Sequence, residues 1–139
     1  MPAKTAREVV DDAYAALFQR GDLEGFLADF DDNSEMIEAE SLPYGGTYRG
    51  KDAIRSAIQA VITEYWEDFA YEIESIAYGD EYVMAYGRFS ATGKRSGRKV
   101  SFPLAEVWKI CDGRVALVHP IYGDTKQAAE ALAYFPSTE

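Results

Sequence analysis

Between residues 70 and 122 the chain reads as four long stretches of strand character, about Ala70 to Tyr78, Tyr82 to Thr92, Arg98 to Ile110 and Arg114 to Tyr122. The joints carry turn chemistry: Gly79-Asp80, the Gly93-to-Gly97 loop, and Asp112-Gly113, a strong two-residue hairpin signal. Strands joined this closely pair antiparallel, so an antiparallel meander is expected, and the helices before it should lie across one face. In the third strand, alternation sets Val100, Phe102, Leu104, Glu106, Trp108 and Ile110 on one face and Ser101, Pro103, Ala105, Val107 and Lys109 on the other. One carboxyl therefore sits in an apolar, aromatic row. An ionised carboxylate is costly to bury, so Glu106 must be hydrogen-bonded, paired with a cation, or held protonated by a raised pKa.

Upstream, Thr5-Ala6-Arg7-Glu8 has capping-box spacing and opens a helix expected to run to about Arg20, with Val10, Ala13, Tyr14 and Leu17 on its apolar stripe. That stripe turns Tyr14 toward the core. Gly21 ends the helix and Asp22 caps a short second one, in which Leu23, Phe26, Leu27 and Phe30 point one way. A short strand is expected from Glu35 to Ser41, with Met36, Glu38 and Glu40 on one face and Ile37 and Ala39 on the other; the pattern leaves open which face is buried. Leu42 to Gly50 holds a Pro, three Gly and two Tyr and is read as a packed loop, without the spacing of a phosphate loop. The third helix is expected over about Lys51 to Trp66, on a stripe of Ile54, Ala57, Ile58, Val61, Ile62 and Tyr65. A last, Ala-rich helix is expected from Thr125 to about Tyr134.

Composition narrows the function classes. With 139 residues, 47% of them hydrophobic, the chain is expected to form a single domain, 1–139, with a sizeable core. It has no apolar run long enough for a membrane span and no charged-then-apolar leader, so a cytoplasmic protein is expected. One cysteine, Cys111, cannot form an internal disulfide, and with a lone histidine, His119, it makes no zinc pattern. A net charge of −10, with basic residues gathered only in the loop Lys94 to Lys99, argues against a nucleic-acid or membrane partner.

Several segments carry a resemblance over nearly the whole chain: Tyr14-Ala15-Ala16-Leu17-Phe18-Gln19-Arg20-Gly21-Asp22-Leu23, Phe30-Asp31-Asp32, Gly46-Thr47-Tyr48-Arg49-Gly50, and Ala105-Glu106-Val107-Trp108-Lys109-Ile110 before the Asp112-Gly113 hairpin. In these, and in the order of elements, the chain resembles the ketosteroid isomerase-like and SnoaL-like branch of the NTF2-like superfamily. The resemblance implies an α+β cone, with three N-terminal helices packed on a strongly curved antiparallel sheet around a deep pocket. It implies a catalytic set of Tyr14 and a neutral Glu106 as donors to a developing enolate, and Glu38, or Glu40, as the base. Two Glu stand where the family has Asp, each one methylene longer.

The activity this implies is a cofactor-independent, isomerase- or cyclase-like proton transfer next to a carbonyl, on an apolar or aromatic small molecule. Met84, Tyr86, Trp108, Val118, Pro120 and Tyr122 would line the pocket. Arg88 faces either that pocket or water; paired with Glu106 it would make an Arg–carboxylate site closer to the epoxide-hydrolase branch of the fold. His119 would be structural or at the site. The alternative class is a non-catalytic ligand-binding or assembly domain. The family also implies a homodimer through the outer sheet face, to which Val83, Ala85, Phe89 and Val107 would add apolar area.

Overall fold

The capping box forms as the spacing requires. In the computed structural model, which describes residues 3–133, Thr5 Oγ1 accepts from the Glu8 amide at 3.1 Å and the Glu8 carboxylate accepts from the Thr5 amide at 2.9 Å. Helix α1 (Ala6–Tyr14) runs on through a π-helical turn, Ala15–Gln19, and Gly21, at φ +61°, supplies the left-handed residue that ends it. Asp22 caps α2 (Leu23–Leu27) by accepting from the Gly25 amide at 2.9 Å. Val9, Val10, Ala13, Tyr14, Phe26 and Leu27 are buried from these elements.

Strand β1 (Phe30–Glu38) starts five residues earlier than expected and ends before Ser41. Its first half is acidic and locally loop-like; what makes it strand is a remote partner, since Phe30 pairs with Val115 and Ser34 Oγ–H donates to the Val115 carbonyl. Its buried face is the one holding Ser34, Met36 and Glu38, whereas Glu40 is exposed in the turn that follows. The stretch read as a packed loop is packed, with Leu42 and Tyr44 buried, but it also holds a strand, β2 (Gly46–Arg49), paired with β1. Its place at the sheet edge tolerates the glycine. Helix α3 (Lys51–Ala60) buries Ile54 and Ala57 and ends in a second π-helical turn, Val61–Tyr65; Trp66 already belongs to the sheet.

The meander is as expected: β3 (Trp66–Tyr78), β4 (Tyr82–Gly93), β5 (Lys99–Cys111) and β6 (Arg114–Tyr122) pair antiparallel in succession. The sheet as a whole corrects the expectation of a purely antiparallel one. Its order is β2-β1-β6-β5-β4-β3 and β1 lies parallel to β6, which makes an unclosed, curved, mixed sheet. Register shifts between Glu67 and Ala70 and between Ile73 and Ser75 bend β3 along its length. There β3 and β4 come so close that a Cβ on Gly87 would lie 2.1 Å from the Glu72 carbonyl oxygen. Helix α4 (Thr125–Leu132), capped by Asp124, closes a second apolar cluster with Ala91, Val100 and Phe102. The expected end of this helix at Tyr134 lies outside the described residues. The architecture is α+β, four helices on one face of a six-stranded sheet.

Register settles the faces of β4. Ala85 pairs with Glu106, so Val83, Ala85 and Gly87 share the inner face with Glu106 and are buried. Tyr82, Met84, Tyr86 and Arg88 point the other way, and Met84 and Tyr86 are each 50% exposed. This overturns two expectations: Met84, Tyr86 and Arg88 do not face the pocket, and Val83, Ala85 and Phe89 supply the core side of the sheet and not its outer face.

Candidate functional site

Between the helices and the inner sheet face lies a cavity of about 120 Å³. Its walls are aliphatic and aromatic: Phe18, Phe26, Trp66, Phe69, Tyr71, Phe89 and Tyr122 contribute rings, and the two π-helical turns supply Leu17 and Phe18 on one side and Val61 and Ile62 on the other. Two carboxyls interrupt this lining, those of Glu38 and Glu106, and no Lys, Arg or His lines it among the described residues. Strand geometry brings the two acids together. Glu106 pairs with Pro120, and continuing the parallel register Met36–Val118 by two residues sets Glu38 on the other side of Pro120. The row Glu38, Pro120, Glu106 crosses three strands on one face, with the outer Cα atoms about 10 Å apart at ordinary strand spacing. The β1–β6 register ends before Pro120, which has no N–H to continue it.

Glu106 is held from behind and Glu38 is not. Tyr14 O–H donates to Glu106 Oε1 at 2.6 Å, and the Trp108 indole N–H donates to the Tyr14 oxygen at 2.9 Å. Near Glu38 stand Tyr122 and Tyr44, their hydroxyls 2.6 Å apart, and Trp66, whose N–H donates to the Tyr44 oxygen at 3.0 Å. Glu38 is 6% exposed, and its Oε1 has no partner. Glu106 is partly exposed, toward the cavity it lines.

Burial pushes the Glu38 carboxyl up to about 8, helped by the nearby Glu106 charge and opposed by the nearby Tyr122 hydroxyl. Glu106 is pushed up to about 7 by burial, against the hydrogen bond from Tyr14. The Tyr14 and Tyr122 hydroxyls are driven well above their ordinary range, by burial first and by the adjoining carboxylates second, so both remain donors. Site and surroundings thus consist of two carboxyls that titrate near neutrality and phenols that do not.

The expected residues divide clearly. Glu38, Glu106, Val118, Pro120 and Tyr122 line the cavity together. Tyr14 stands behind Glu106 and borders a neighbouring hollow with Phe18 and Tyr71. Trp108 is fully buried as the partner of Tyr14 and does not line the cavity. Arg88 forms no pair with Glu106; on the outer face it donates to Ser101 Oγ at 3.1 Å. His119 shares that outer face, opposite Val107. Tyr44 and Trp66 went unrecognised from sequence, although a tyrosine in a loop full of Pro and Gly was itself a sign of packing. Among the described residues no cluster of three or more His, Cys, Asp or Glu could hold a metal ion, and no helix is long and apolar enough to cross a membrane.

Known proteins with this architecture are numerous. An NTF2-like protein from Burkholderia thailandensis is 28% identical, with 94% of this chain and 98% of that one covered at a TM-score of 0.85. TerC, solved as a co-crystal with polyporic acid, is 22% identical over 91% of this chain and 96% of its own, at a TM-score of 0.79. A Catenulispora acidiphila protein of ketosteroid isomerase-like fold, in complex with trimethylamine, is 14% identical over 95% and 96%, at a TM-score of 0.72. No curated protein matches the sequence. The family model described as the SnoaL-like domain matches residues 10–118, most of the chain and both carboxyls, and the chain therefore belongs to the SnoaL-like domain family.

Proposed function

We propose that this protein binds a small apolar molecule in the cavity and moves a proton next to its carbonyl, with Glu38 and Glu106 as the acid–base pair and no cofactor. The observation that carries this reading is the pair itself: two carboxyls with raised pKa, on either side of Pro120 in one row, in an otherwise apolar cavity. Two such neighbours do not both ionise readily, so near neutral pH the pair holds one proton. The hydrogen bond that Tyr14 donates favours the charge on Glu106, and Glu38, whose buried Oε1 has no donor, keeps the proton. Glu106 Oε2 then takes a proton from the carbon beside the carbonyl while the neutral Glu38 carboxyl protonates the carbonyl oxygen. The product is an enol, and reversal at another carbon completes an isomerisation. These roles invert the assignment the resemblance implies, in which Glu38 is the base. Tyr14, whose hydrogen is engaged by Glu106, acts through that carboxylate and does not touch the substrate.

The cavity volume is of the order that accommodates a single ring, since an engineered protein cavity of about 150 Å³ takes up benzene. Solvent-deuterium exchange into a monocyclic enone, followed by NMR, tests the reading. Exchange should be lost in Glu106→Gln and slowed about 10²- to 10⁴-fold in Glu38→Gln, the usual range for one general acid or base. Exchange unaffected by Glu106→Gln would refute it, and enone binding without exchange would favour a non-catalytic ligand-binding domain.

The outer sheet face favours a further reading, assembly into a homodimer. Tyr82, Met84, Tyr86 and Ile121 are 42–50% exposed there, an apolar surface of the kind that association covers.

A further inference from the structure

We propose that the ligand of this site has two parts: a ring that meets the acids in the cavity, and a second apolar group that lies in the neighbouring hollow, with Phe18 as the partition between them. The inference rests on the reading of the cavity as a ligand site and adds to it what the ligand must carry.

The hollow, about 340 Å³, lies between β3 and the first helix with its π-helical turn. Ala15, Ile73 and Ile76 line it together with the rings of Tyr14, Phe18 and Tyr71, and the exposed Asp11 and Gln19 complete it. Asp11 is already engaged: Tyr78 O–H donates to it at 2.7 Å and Arg7 lies 3.6 Å away. What the hollow offers a guest is therefore mainly apolar surface.

Among the described residues, Phe18 and Tyr71 alone line both the hollow and the cavity. With Tyr14 they form a triangle of rings, with centroids 6.0 Å apart for Tyr14–Phe18 and 6.3 Å apart for Tyr14–Tyr71 and Phe18–Tyr71. These three rings are held unequally. Tyr14 accepts from Trp108 at 2.9 Å and donates to Glu106 at 2.6 Å, and Tyr71 donates to the Leu104 carbonyl at 2.9 Å. Phe18 has no polar atom to anchor it, is 41% exposed, and sits on a π-helical turn, a geometry frequent at functional sites. Exposed side chains change rotamer readily, whereas moving either tyrosine breaks a hydrogen bond. Phe18 is the ring that yields. Turned outward, it gives up its two ring contacts and makes cavity and hollow one space, continuous from the acids to Ile73. Since the cavity alone is of the order that takes a single ring, a substituent on that ring needs room elsewhere, and the hollow is the room beside it.

Titrating the protein with cyclohexenone, and with phenylcyclohexenone substituted opposite the carbonyl, compares a one-ring with a two-ring probe by ¹H–¹⁵N NMR. The two-ring probe should bind the wild type and shift the amides of Ala15 and Ile73, which the one-ring probe leaves in place. In Phe18→Ala the two-ring probe should bind about tenfold more tightly, because two ring contacts no longer have to be broken, while the one-ring probe, losing a wall, should bind about threefold more weakly. Ile73→Phe fills the hollow without lining the cavity; it should weaken the two-ring probe about tenfold and leave the one-ring probe within about twofold. Changes of the same sign for both probes in Phe18→Ala would make Phe18 an ordinary wall and overturn the proposal, as would unaltered two-ring binding in Ile73→Phe. Should Ile73→Phe not fold, the opposite signs in Phe18→Ala and the shift at Ala15 decide alone. One-ring binding without two-ring binding, in the wild type and in Phe18→Ala, overturns this proposal only; no binding of either probe overturns the reading of the cavity with it. Binding without deuterium exchange would refute the reaction and leave this result standing.

Discussion

Glu106 shows how much one residue can say and where it stops. Its place among Val100, Phe102, Leu104 and Trp108 made it conspicuous in the sequence, and of the three ways to keep it there the structure shows the hydrogen bond, from Tyr14, while burial raises its pKa without fixing it as protonated. The third, a cationic partner, fails because Arg88 sits on the opposite face. Glu38 was legible only as a candidate, since alternation around it fitted either face until β6 covered one. Replacing Glu106 isolates its effect on its neighbour. Burial is the larger cause of the raised Glu38 value and the Glu106 charge the smaller. In Glu106→Gln the Glu38 midpoint should fall below about 8 yet stay well above the ordinary 4.5, as read by ¹³C titration. A midpoint that does not fall would mean the two acids do not share a field. Tyr44 and Trp66 were beyond sequence reasoning for a plain reason: a chain of hydrogen bonds linking a loop, a strand start and the last strand has no local spacing.

At the scale of elements, what is local was readable and what is paired at a distance was not. The capping box at Thr5, the stop at Gly21 and the hairpin at Asp112-Gly113 are set by neighbours in sequence, and each lies where expected. The start of β1 and all of β2 depend on partners across the fold, so an acidic stretch and a glycine-rich one hid them. In β4 the larger residues Met84 and Tyr86 were expected at the pocket, while the small set, Val83, Ala85 and Gly87, is what the packed inner face admits. Bulk is a poor guide to the side that is buried when helices press close to a sheet. The outer set makes the prediction for this element. The double substitution Met84→Lys, Tyr86→Lys puts charge on exposed positions of the proposed dimer face and should give a monomer by light scattering, with thermal stability of the subunit changed by no more than about 0.5 kcal/mol. A protein whose mass is unchanged by this pair does not associate through β4.

For the whole molecule, the two buried acids tie stability to pH. Their folded values, about 8 and about 7, exceed the ordinary 4.5, so between these limits the folded state binds more protons than the unfolded one. Stability is then highest near pH 5 and falls as pH rises toward 8, by on the order of a few kcal/mol. The lowered values of Asp124 and Glu24 act in the other direction, but their contribution is complete above about pH 4.5 and is flat across this window. Melting temperature from pH 5 to 9 should slope downward in the wild type and much less in the double variant Glu38→Gln, Glu106→Gln; equal slopes would show that the acids are not the cause. The overall architecture was legible because the meander and the order of helices constrain it tightly. Its mixed character was not, because the parallel contact of β1 with β6 joins segments some eighty residues apart. Pro120 lies at that seam. Without an N–H there, Pro120 donates no ladder bond to the end of β1, while Glu106 on the other side stays fastened by the β5–β6 register. The two acids are thus mounted differently: Glu106 lies in a strand paired along both edges, whereas at Glu38 the register of β1 continues only with β2.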